Sequence, residues 1–135
     1  MKIKLKITAL ILMVIFCVKP NLANTANAAS ATKTISVPAK LPTSFGIYSK
    51  SSTSHYVYAT NYSGYGEYAY CYGSCASNLS GQWVKYTANY RLYKNNSETS
   101  LWLTNTIDMG KKVQLLLYGA DTQQGSDRNC IKFTY

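Results

Sequence analysis

The stretch that most limits what this chain can fold into is residues 83–93, WVKYTANYRLY. Val84, Tyr86, Ala88, Tyr90 and Leu92 occupy every second position, with Lys85, Thr87, Asn89 and Arg91 between them. Successive side chains of a strand point to opposite faces, whereas a helix would scatter these residues around its circumference. The spacing predicts a long strand with one buried side and with Lys85 and Arg91 on its outward face.

The same period recurs downstream. Leu101 and Leu103 flank Trp102, Val113, Leu115 and Leu117 alternate in KKVQLLLY, and Ile131, Phe133 and Tyr135 alternate at the end. Ser63-Gly64, Ser80-Gly81, Asn95-Asn96, Met109-Gly110 and Gly125-Ser126 separate these runs as turn signals. Past the N-terminal segment no stretch has helical periodicity. We therefore expect an all-β chain, a single-domain antiparallel β-sandwich or small barrel of about six to eight strands. That domain spans residues 45–135. Residues 29–44, rich in Ala, Ser, Thr and Pro, read as an extended N-terminal arm with a short strand at 34–37.

The N-terminus reads as an export signal. Lys2, Lys4 and Lys6 precede the uncharged run ITALILMVIFCV, and Ala26-Asn27-Ala28 has the small-x-small form of a cleavage site. That order is a signal peptide covering residues 1–28. The apolar run is short for a membrane span, which takes about 20 residues. Phe16 stands where a lipid-attachment site at Cys17 would need a small residue. Cleavage removes four of the fourteen basic residues and no acid, which leaves ten against five and a net charge of +5 rather than +9. A secreted cationic domain suits acidic partners: an anionic membrane surface, cell-wall phosphates or an acidic glycan. The basic residues are scattered, with Lys111-Lys112 the one adjacent pair past the leader. Nothing in the pattern calls for nucleic acid or a cofactor.

All thirteen tyrosines lie past the leader. Tyr56, Tyr58 and Tyr62 form one stripe, and Tyr68, Tyr70 and Tyr72 another. Were the two segments a hairpin, the parity of its turn would decide whether the stripes join. An odd loop at Ser63-Gly64-Tyr65, with Tyr62 opposite Gly66, joins them, and an even loop splits them across the sheet. We expect the odd loop, because Gly64 or Gly66 can take the left-handed position of a three-residue turn. A joined face at Tyr56, Tyr58, Tyr68 and Tyr70 would stack on sugar rings or lie at a membrane interface. The structural alternative is that such pairs only stabilise a sheet.

Cys71, Cys75 and Cys130 remain after cleavage. Tyr72-Gly73-Ser74 reads as a turn that would join Cys71 to Cys75 in a disulfide and leave Cys130 free. Pairing of Cys130 with either of the others is the rival arrangement. The spacing is not the two-residue redox motif, and no βαβ pattern surrounds it. Three thiols and a lone His55 lack metal-ligand spacing, so no metal is expected. In the odd-loop register His55, Glu67 and Cys71 share a face, the one arrangement that resembles a Cys-His site. No nucleophile motif surrounds it, so no catalytic residue is assigned. DTQQGSD at residues 121–127 lacks the alternating ligands and closing Glu of a calcium loop and reads as a polar hairpin loop. Asn61-Tyr62-Ser63, Asn78-Leu79-Ser80 and Asn95-Asn96-Ser97 fit the glycosylation acceptor pattern, which matters in a eukaryotic secretory route.

The exported, cationic, Tyr/Ser/Gly-rich character of residues 45–102 is similar to lactococcin 972-type bacteriocins, which are small β-sheet proteins. The similarity is one of composition and transfers no residue. It implies an antagonist acting on neighbouring cells. The expected function is a secreted, cationic, non-enzymatic β protein binding a cell envelope or extracellular surface through Tyr56, Tyr58, Tyr68, Tyr70, Lys85 and Arg91. The alternatives are a matrix protein assembling through β edges and, third, a Cys-His enzyme.

Overall fold

The computed structural model describes residues 28–135, so the expected leader, Ala28 apart, lies outside the described residues. Nine strands run in chain order: β1 Ser30–Pro38, β2 Thr43–Ser49, β3 Tyr56–Tyr62, β4 Tyr70–Asn78, β5 Trp83–Lys85, β6 Tyr90–Tyr93, β7 Glu98–Trp102, β8 Lys112–Tyr118 and β9 Ser126–Thr134. They form two antiparallel sheets. The first has the order β1-β9-β3-β7, and the second β2-β8-β4-β5, with β6 also on β4. β6 pairs the first half of β4, from Tyr70 to Gly73, and β5 pairs its last three residues. Counted as one interrupted strand, β5 and β6 complete an eight-stranded pattern in which the chain keeps crossing between sheets. That is the jelly-roll form of the sandwich.

The strand expected over residues 83–93 is therefore broken at 86–89. The Cys75 N–H donates to Thr87 Oγ1 at 2.8 Å, and that hydroxyl donates to the Ala88 carbonyl at 2.9 Å. This local bonding replaces the ladder. It buries Thr87, expected outward, and leaves Val84 and Ala88, expected inward, exposed. Elsewhere the alternation holds. Val113, Leu115, Leu117, Leu101, Ile131 and Phe133 are fully buried, facing one another with Phe45, Val57 and Leu92 between the sheets.

Residues 29–44 are not an arm. All nine residues of β1 pair with β9, Val37 is buried in the core, and β2 begins at Thr43. A one-residue bulge in β2 sits between Ser44 and Ile47. Gly46, at φ 143°, supplies the backbone that bulge needs. The extra residue inverts the parity: Ile47 turns outward, while Tyr48 turns inward and stacks on Tyr135 with centroids 4.6 Å apart.

Two further expectations are corrected. β3 and β4 do not form a hairpin. β3 pairs β7 and β9 in the first sheet, whereas β4 pairs β5, β6 and β8 in the second. The tyrosine stripes thus lie on the outer faces of opposite sheets. Nor is there a disulfide among the described residues: Cys71, Cys75 and Cys130 are free. Tyr72-Gly73-Ser74 continues β4 instead of turning. Cys71 and Cys75 lie about 13 Å apart at the rise of a strand, well beyond the Cα separation a disulfide spans. Cys130, between inward-facing Asn129 and Ile131, points out of the first sheet beside Tyr62.

Candidate binding face

The site is built on β4. Its odd residues Cys71 and Cys75 face the core, so Tyr70, Tyr72 and Ala76 face out. Antiparallel register sets Tyr93 beside Tyr70, Arg91 and Tyr118 on either side of Tyr72, and Lys85 beside Ala76. Neighbours directly across an antiparallel pair are close enough for their side chains to interact. Here they form an aromatic cluster. Tyr70 meets Tyr72 edge-on at 5.4 Å between centroids and lies 5.4 Å from Tyr93. The Arg91 guanidinium stands 5.1 Å from the centre of the Tyr70 ring and 5.8 Å from that of Tyr72. Lys85 Nζ lies 5.5 Å from the centre of the Tyr118 ring.

Asp121, from the loop after β8, ties the cluster together. Its carboxylate accepts hydrogen bonds from Tyr70 Oη at 2.8 Å, Tyr72 Oη at 2.9 Å and Arg91 Nη2 at 3.3 Å. Arg91 Nε donates to Tyr72 Oη at 3.2 Å. The two phenol bonds, helped by the Arg91 charge, hold the Asp121 carboxyl below its usual range despite a small opposing desolvation. The same carboxylate raises the Tyr70 phenol above its ordinary value. Hydrogen bonding to Tyr72, then to Tyr93, raises Arg91 further. The surface thus holds an anion and a cation in contact, each favoured in its charged form by its neighbours.

The loop is anchored from beneath. Gln123 is buried, accepts the Ala120 N–H at 3.0 Å, and donates to the Val37 carbonyl at 2.6 Å and the Gly125 carbonyl at 3.1 Å. Tyr68 Oη accepts the Gln124 N–H at 3.1 Å, which docks the 63–69 segment on the same loop. Residues 38–41 and 121–126 line an open concavity of about 760 Å³ that shares Asp121 with the cluster. Behind it lies a buried ion pair, Lys94 Nζ to Asp127 Oδ2 at 2.6 Å, and Asp127 Oδ1 accepts the Glu67 N–H at 2.8 Å. Gly66 crosses directly over this pair at φ 65°, where a Cβ would strike Asp127 and the Arg128 carbonyl.

Of the residues marked in the sequence, the structure brings Tyr70, Lys85 and Arg91 to one face, with Tyr68 at its border. It removes Tyr56 and Tyr58 to the outer face of the first sheet. There Tyr56 meets Trp102 edge-on at 4.9 Å and stacks with Tyr58 at 6.2 Å, while His55 stacks on Trp102 at 5.9 Å. The Cys-His arrangement is not assembled. His55 is exposed on that surface, Cys71 is buried against Leu92, and burial pushes the Cys71 and Cys75 thiols up to about 12. A thiol held protonated is a poor nucleophile. Sequence reasoning missed Asp121, Tyr93 and Tyr118. Only a carboxylate in a polar loop directly after a buried strand hinted at the first.

Fold and surface together define a jelly-roll sandwich with a charged aromatic outer face. No known protein family and no curated protein matches this chain. Among solved structures it is similar to the Yersinia pseudotuberculosis-derived mitogen (YPM), with a TM-score of 0.51 at 11% identity, covering 79% of this chain and 86% of that one. At that identity the likeness is one of fold.

Proposed function

We propose that this chain is a secreted, non-enzymatic binding protein of cell-envelope or extracellular surfaces, and that the Tyr70–Tyr72–Arg91–Asp121 face takes a polyhydroxylated ligand, a surface glycan. The observation that carries this is the exposed Asp121–Arg91 pair held between tyrosine rings. Sugars have apolar C–H faces and hydroxyl edges. The rings offer the former a flat apolar surface. The carboxylate accepts from hydroxyls and the guanidinium donates to them. The concavity beside Asp121 gives an extended chain room to continue.

Export is supported by the leader pattern of residues 1–28. A bacteriocin-like antagonist is the sharper form of this reading. Matrix assembly through sheet edges is disfavoured by the edges themselves: β7 is five residues long, β5 and β6 are three and four, β2 is broken by its bulge, and β1 carries Lys33 and ends on Pro38.

Retention on isolated, protein-free cell walls tests the reading. The Tyr70→Ala, Tyr72→Ala double variant is expected to lose at least roughly tenfold in retention, since each removes a stacking ring and a phenol that orients Asp121. Its circular dichroism should match the parent. Equal retention by the double variant would show that the cluster only supports the sheet.

A further inference from the structure

We propose that the opposite end of the second sheet is a docking site for an anionic lipid bilayer. Four large apolar side chains are exposed there: Ile47 at 57%, Leu79 at 41%, Trp83 at 39% and Met109 at 51%. Their gathering follows from the register. Asn78, the last residue of β4, pairs Trp83 on one side and Lys112 on the other. The turn carrying Leu79 leaves β4 just beyond this row, and the turn carrying Met109 enters β8 just before it. Adjacent strands are about 4.8 Å apart, so the two tips emerge side by side. One row back, Val84 pairs inward-facing Ser77 and so lies on the other side of the sheet, whereas the β2 bulge turns Ile47 out two rows back, in line with Gln114, Ala76 and Lys85.

The charge at this end selects the partner. Lys111 and Lys112 flank the apolar tips, and Lys112 Nζ is steadied by Ser49 Oγ at 3.0 Å, while the Lys85 ammonium turns back toward Tyr118. Asp108, whose carbonyl accepts the Lys111 N–H in the turn, is the acid nearby. Apolar tips beside a pair of lysines match a bilayer with anionic headgroups. Tryptophan sits at the headgroup level of membranes, and lysine stems reach back to the phosphates. A second copy of this chain fits poorly, because a symmetric contact through one patch would set lysines against lysines. Insertion is shallow, since the turn backbone has carbonyls that must stay hydrated. The tips lie about 26 Å along β4 from Tyr70, so this contact is separate from the glycan face and does not depend on it.

The test uses the mature chain with Trp102→Phe, which leaves Trp83 as the one tryptophan, and vesicles of phosphatidylcholine with or without phosphatidylglycerol. Co-sedimentation and a blue shift of Trp83 emission are expected with phosphatidylglycerol only. The Lys111→Gln, Lys112→Gln variant should bind roughly thirtyfold more weakly, about fivefold for each lysine near an anionic surface. The Leu79→Ser, Met109→Ser variant should lose the blue shift. The Tyr70→Ala, Tyr72→Ala variant should bind vesicles like the parent, so failure of the glycan reading leaves this result unchanged. The proposal is overturned if vesicles do not bind, if neutral vesicles bind equally, or if binding proceeds without a shift. It is also overturned if the patch variants alter self-association and leave vesicle binding untouched.

Discussion

Lys94 and Asp127 are enclosed as a pair, with side chains 7% and 3% exposed. Such a pair is costly to bury and costlier to break, because removing one charge strands the other. Burial alone would raise the Asp127 pKa, but the Lys94 ammonium and the Glu67 N–H outweigh it and leave the carboxyl lower than usual. The sign follows. A carboxyl lowered in the folded state adds stability above its unfolded value, about 3.9, and that stability is lost as pH falls through the folded value. Asp127→Asn is therefore expected to cost about 3–5 kcal/mol at neutral pH. Urea midpoints should show that gap closing below about pH 4. A gap that is flat with pH would mean the residue acts through shape alone. Because Gly66 crosses the pair and Glu67 bonds to it, the same variant should loosen the 63–69 segment that presents Tyr68.

At the scale of the element, β4 decides the fate of the cysteines. Cys71, Gly73, Cys75 and Ser77 alternate inward, with β8 laddered on one side from Tyr72 to Asn78 and β6 and β5 on the other on either side of Ser74 and Cys75. A strand cannot fold back on itself over three residues. Under denaturing, non-reducing conditions all three cysteines are expected to alkylate, and reductant should leave the melting temperature unchanged. A cross-linked peptide containing Cys71 and Cys75 would show that β4 does not run straight. This element also shows what the sequence disclosed and what it withheld. The period of two assigned Leu115, Leu117, Ile131 and Phe133 to the core because in and out are properties of one strand. Partner choice is not. Tyr62 and Tyr70 are close in sequence, which favours a hairpin reading, yet β3 finds β9, some seventy residues on, and β4 finds β8. In a jelly roll successive strands repeatedly change sheets. Side-chain alternation is the same whichever sheet receives the strand. The aromatic face was thus half legible: Tyr70, Lys85 and Arg91 from their parity, but not Asp121, which arrives through a contact fifty-one residues distant. Thr87 shows the opposite failure, where one hydroxyl bonded to the backbone overrode a regular pattern.

For the whole molecule, the distribution of charge matters more than its sum. Arg91 is paired with Asp121 and Lys94 with Asp127, while Lys50 is buried, donating to the Ser52 and Ser54 carbonyls. The remaining cations among the described residues are Lys33, Lys40, Lys85, Lys111, Lys112, Arg128 and Lys132, against Glu67, Glu98 and Asp108. Two of those seven cations, Lys111 and Lys112, stand together at the Leu79–Met109 end. On the aromatic face Arg91 and Asp121 neutralise one another, and Lys85 over Tyr118 is the cation left over. The two contacts should therefore respond differently to salt. The screening length falls from about 8 Å at 0.15 M to about 3 Å at 1 M. Binding to phosphatidylglycerol vesicles is expected to fall steeply across that interval. Retention on an uncharged wall polysaccharide should stay nearly level, since ring stacking and hydrogen bonds to Asp121 are not screened in this way. Measured on intact cells, the parent should drop with salt to a plateau, and the Tyr70→Ala, Tyr72→Ala variant should drop to none. A single salt curve shared by both surfaces would mean that one general electrostatic attraction accounts for binding, and that neither end of the second sheet is a selective site.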